Sequence, residues 1–124
     1  MIKGISSKIY SISVPLTCDE VNEAIKYIKD SIDEHCRIYP GTPFSVRILF
    51  GGLKRDWTDT PLQRIYNHYT DKGKSREKAA RAAAIDVAKL MKKILTESLD
   101  TYEYAGKDSG NKFVHINTVK NEWR

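Results

Sequence analysis

The chain has 124 residues, 40% of them apolar, and a formal net charge of +5. This length holds one compact domain, residues 1–124, rather than two. Its longest apolar runs, such as Ile48–Phe50, span a few residues; a signal peptide needs roughly 7–15 and a membrane span roughly 20, so a cytoplasmic protein is expected.

The charge is unevenly placed. Residues 1–52 carry 6 basic and 6 acidic side chains, residues 98–124 carry 4 and 4, and residues 53–97 carry 11 and 6. The whole excess lies in one segment, which suggests an anionic partner or a solvated basic helix face. Cys18 and Cys36 stand in no CxxC or Cys/His spacing, so free thiols are expected rather than a disulfide or a metal site.

In chain order, residues 8–14 alternate, with Tyr10, Ile12 and Val14 on one face, and predict a half-buried strand ended by Pro15. Thr17 and Glu20 have the spacing of a capping box. Val21, Ala24, Ile25, Ile28 and Ile32 then follow helical spacing to about Arg37. Pro40, Gly41 and Pro43 mark a turn. Phe44, Val46, Ile48 and Phe50 alternate with Ser45, Arg47 and Leu49, predicting a second strand that runs into Gly51-Gly52.

Thr60, Pro61 and Gln63 read as a cap, first turn and third position of a short helix with Leu62, Ile65, Tyr66 and Tyr69 inward. Asp71 to Lys74 breaks it. Ser75 caps a helix of residues 75–97, with Ala79, Ala83, Val87, Leu90, Met91 and Ile94 inward. Tyr102 and Tyr104 open a strand, residues 106–111 turn, and residues 112–119 form its partner. The order β-α-β-α-α-β-β predicts an α+β domain, with a small, mainly antiparallel sheet of about four strands packed with three helices.

The stretch 50–64, FGGLKRDWTDTPLQR, is the most unusual. Gly51 and Gly52 let backbone N–H groups approach a ligand. Lys54, Arg55 and Arg64 supply cations, and Arg55 can fork onto a phosphate. Trp57 offers a flat face for a base, Phe50 borders the turn, and a helix start after Thr60 favours an anion. The same parts also suit a tight turn whose Trp plugs the core.

On the third predicted helix Lys78, Arg81, Lys89 and Lys92, with Ile85 between, form one stripe. Arg81 and Lys89 could complete a pocket, or the stripe could track a nucleic-acid backbone, although no aromatic interleaves it. The alanines at 79, 80, 82, 83 and 84 permit close helix contact, within the chain or with another subunit. His35, His68 and His115 lack metal-ligand spacing, and His68 with Asn67 falls on the exposed side of the short helix. The acids are dispersed. No catalytic set, metal site or cofactor is expected.

Phe50-Gly51-Gly52, Asp56-Trp57 and Thr60-Pro61-Leu62-Gln63, with Ile65 and Tyr66, resemble a phage family, the first type of Thoeris anti-defence protein. Size and layout are similar as well. The resemblance implies a sponge, not an enzyme. It would bind and sequester the cyclic ADP-ribose signal of a bacterial immune TIR enzyme without cleaving it, as a homo-oligomer with pockets at subunit interfaces. Some members hold cyclic oligonucleotides. The alternative is a small nucleic-acid-binding protein using the stripe on helix 75–97.

Overall fold

The computed structural model of the chain describes residues 1–6, 8–50, 57–107 and 110–116. Its elements are β1 (Ile2–Lys3), α1 (Cys18–Ile38), α2 (Val46–Phe50), α3 (Gln63–Asp71), α4 (Arg76–Glu97), β2 (Thr101–Lys107) and β3 (Asn111–Ile116). The class is α+β. The sheet among the described residues has three strands, not about four, and is mixed: β1 runs parallel to β2, and β2 antiparallel to β3.

α1 begins where the capping box requires. Thr17 Oγ1 accepts the Glu20 N–H at 3.2 Å, and Glu20 Oε1 accepts the Thr17 N–H at 2.9 Å. That N–H is the main reason the Glu20 carboxyl titrates below its ordinary value. Ala24, Ile28 and Ile32 form the buried stripe of the helix. α4 is capped by Ser75, whose Oγ accepts the Lys78 N–H at 3.3 Å. It buries Ala79, Ala83, Val87, Leu90, Met91 and Leu95. Ile94 is only partly buried, and an unanticipated Asp86 lies on the inward line. α3 packs on α4 where the alanines are smallest in profile: Ala79 and Ala83 are fully buried within this one chain.

Two predicted strands are corrected. Residues 8–14 form no strand; they cross the protein as an irregular strap with Val14 buried and Tyr10 half exposed. The strap finds a side-chain acceptor instead of a neighbouring strand, because the Ser13 N–H donates to Asp86 Oδ1 at 3.2 Å. Residues 44–50 form α2 with a single bridging residue before it. The Ser45 hydroxyl accepts the Ile48 N–H at 3.2 Å and the Ser45 carbonyl accepts the Leu49 N–H at 3.0 Å, which starts a helical turn. Only Phe44 keeps strand pairing, through reciprocal bonds of 2.7 and 2.8 Å with Phe113. This accounts for the fourth helix and one missing strand.

The hairpin stands as expected, with Tyr102 and Phe113 buried under the helices. β3 begins at Asn111; residues 117–119 of the predicted strand lie outside the described residues. At the other edge, β1 enters the sheet beside β2. The Met1 ammonium donates to the Leu95, Ser98 and Asp100 carbonyls at 2.7, 2.8 and 2.9 Å.

Candidate functional site

The sequence-predicted site is built around the chain between α2 and α3. Gly51, Gly52, Lys54 and Arg55 lie outside the described residues. The two residues that bracket them are well placed. Phe50 is buried and its ring stacks on Tyr27, with centroids 5.7 Å apart. Trp57 is partly buried against the core, and its indole Nε1 donates to the Phe50 carbonyl at 3.1 Å. The Trp57 side chain thus bonds the backbone of Phe50, seven residues earlier in the chain.

Beyond Trp57 the chain turns at once. The Thr60 Oγ1 and N–H both donate to the Trp57 carbonyl, at 2.7 and 3.1 Å. Asp59 sits at φ 66, a left-handed conformation that Asp tolerates better than most residues. Thr60 is therefore not the cap of α3. The helix starts at Gln63 behind Leu62, without a side-chain cap, because the Thr60 hydroxyl closes the preceding turn instead.

The other predicted cations separate into engaged and unengaged ones. Arg64 is engaged with α1: its Nη1 meets Glu23 Oε2 at 2.7 Å and its Nε meets Glu20 Oε2 at 3.3 Å. The hydrogen bond it donates to Glu23 is the main reason its guanidinium holds its proton more firmly than usual. Lys89 is only 28% exposed and its Nζ lies 3.9 Å from buried Asp86. Arg81 is exposed on α4, and no side-chain partner is found for it among the described residues. Arg64 and Lys89 are thus held by carboxylates of α1 and α4, while Arg81 stands exposed.

Spacing could not reveal a second place. Where α1 ends against the hairpin, a shallow cleft of about 540 Å³ is lined by Asp33, Cys36, Arg37, Pro40, Gly41, Asp100, Tyr102 and His115. His115 Nε2 lies 3.5 Å from Asp100 Oδ2, and its ring meets Tyr102 edge-on at 5.2 Å. Burial, with help from Asp33 and Asp100, pushes the Cys36 thiol up to about 11. Burial likewise pushes the Tyr102 phenol up to about 12, helped by Cys36, Asp100 and Asp33. A thiol held protonated at neutral pH is a poor nucleophile. Arg37 and His115 share the lining with Asp33 and Asp100, so the cleft carries no surplus of positive charge for a phosphate.

The histidines part from the expectation at one position. His68 is partly buried, and its Nε2 has no hydrogen-bond partner among the described residues. Cys18 and Cys36 stand at opposite ends of α1, about 27 Å apart at 1.5 Å per residue, too far for a disulfide within one chain. No group of three or more His, Cys, Asp or Glu suited to a metal occurs among the described residues, and none of the described helices is long and apolar enough to cross a membrane. Comparison with family models, curated proteins and solved structures finds no match to the chain.

Proposed function

We propose that this protein binds a small cyclic nucleotide of the cyclic ADP-ribose class and sequesters it uncleaved, as a phage anti-defence sponge acting in a bacterial host cytoplasm. The observation that carries the reading is the Trp57–Phe50 bond at the base of the segment holding Gly51, Gly52, Lys54 and Arg55. It ties Trp57 to Phe50, and the sequence between them supplies two glycines, a lysine and an arginine, the parts a diphosphate with an adenine requires. The likeness of residues 50–66 to the Thoeris anti-defence family points the same way, and implies a homo-oligomer with pockets between subunits.

Binding is tested by thermal denaturation with cyclic ADP-ribose. A ligand at about 100 times its Kd stabilises the fold by about 2.7 kcal/mol, which raises Tm by several degrees. Arg55→Ala should abolish the rise, while Arg64→Ala should leave it in place. Chromatography of the ligand released on heating should return the intact cycle. A linear product would replace sequestration with hydrolysis, and native mass spectrometry of the same sample reads the subunit number.

A further inference from the structure

The stripe on α4 is not wholly polar in three dimensions. Lys78, Arg81, Ile85, Lys89 and Lys92 recur at helical spacing along about 21 Å of one helix. Lys78 and Arg81 are exposed, and no side-chain partner is found for either among the described residues. From sequence the line has no aromatic. The strap supplies one. With the Ser13 N–H fixed on Asp86 and Val14 buried, the strap lays Tyr10 against the C-terminal end of the line. Lys92 Nζ stands 5.5 Å and Lys8 Nζ 5.1 Å from the centroid of the Tyr10 ring, which remains 52% exposed.

We propose that this face, Lys78 and Arg81 leading to Lys92, Tyr10 and Lys8, binds single-stranded nucleic acid. The occupant follows from the pairing of features. A line of cations at fixed pitch complements a phosphodiester backbone, and an aromatic ring at its end offers a stacking platform that only an unpaired base can use. A duplex would use the cations alone. Asp86 anchors the strap three residues beyond Tyr10, by accepting the Ser13 N–H. Lys8 is exposed, and a base arriving on the ring displaces its ammonium towards the adjoining phosphate. This surface requires neither the 50–57 segment nor the nucleotide assigned to it.

Fluorescence anisotropy with labelled oligo(dT), across a salt series, decides the matter. Wild-type protein should bind at low salt and release steeply as salt rises. Tyr10→Leu, which keeps apolar bulk and removes the π face, should weaken binding by at least about fivefold, and Tyr10→Phe should restore it. The Lys78→Gln/Arg81→Gln double variant, at two exposed positions, should flatten the log–log salt slope by about 1.4. Melting curves of each variant establish that it is folded. No binding at low salt overturns the proposal. So does a folded Tyr10→Leu variant that binds as wild type, or heparin bound as tightly as oligo(dT).

Discussion

Two tyrosines of this protein, each beside an aspartate, show how differently one pair of residue types can be used. Tyr69 and Tyr102 are both buried, and burial is the first cause that pushes each phenol up to about 12. Their second causes differ. Tyr69 donates its hydroxyl directly to Asp86, which is 1% exposed and also accepts the Ser13 N–H. Tyr102 feels Cys36, Asp100 and Asp33 across an open cleft, and the Asp100 side chain is 65% exposed. The first pair joins α3, α4 and the strap through direct bonds to one buried carboxylate. The second contributes a field, which water and salt dilute.

The largest effect should separate the two aspartates. Asp86→Ala leaves the buried Tyr69 hydroxyl without its carboxylate partner and releases the part-buried Ser13 N–H, and should cost about 3 kcal/mol. The denaturant midpoint should fall with the slope unchanged, and Asp86→Asn should recover part of the loss. Asp100→Ala, at the exposed site, should cost less than about 1 kcal/mol. Equal losses in the two would erase the distinction.

Alkaline pH comes next. Tyr69 and Tyr102 keep their protons in the fold from 10.0 to about 12, and Cys36 from 9.0 to about 11, while the unfolded chain releases them. The folded state therefore binds more protons in that window, and its stability is full below pH 9 and falls as pH rises through it. Denaturation at stepped pH, with phenolate absorbance followed in parallel, should show these phenols ionising as the fold is lost. The smallest effect is chemical: at neutral pH iodoacetamide should modify exposed Cys18 well before Cys36, as peptide mapping would read. Faster reaction at Cys36 would mean that the cleft does not hold the thiol neutral.

The sequence pattern locates α1, α4 and the hairpin because each carries its own boundary signal: the Thr17–Glu20 box, the Ser75 cap, and the glycine-bearing turn between two aromatic strands. It fails where a string satisfies two periods. In residues 44–50 the positions 44, 46, 48 and 50 read as a strand, yet Val46, Leu49 and Phe50 also fit one helix face, and in the fold these pack inward while Ile48 is 51% exposed. The Ser45 hydroxyl decides between them, and a serine before such a run was the available signal. Asp86 was legible too, as an acid on a line running from Ala83 to Leu90. The cleft was not, because its residues come from α1, the α4–β2 junction and both hairpin strands, and only the fold brings them together. The pairing of Arg64 with Glu20 and Glu23 was hidden for the same reason: Arg64 is remote from both in sequence and adjacent to them in space.

The double reading of residues 44–50 has a consequence for the chain when it opens. β3 is an edge strand whose outer side is paired only at Phe44 among the described residues. α2 is a single short helical segment with little propensity to persist alone. If it unwinds, FSVRILF becomes an apolar, β-alternating run with one charge and neither Gly nor Pro, already docked by its first residue on an unpaired edge. Such a run is an aggregation seed. Self-association on gentle heating should begin here, and Ile48→Lys, placed at an exposed position of α2, should suppress it without disturbing the native fold.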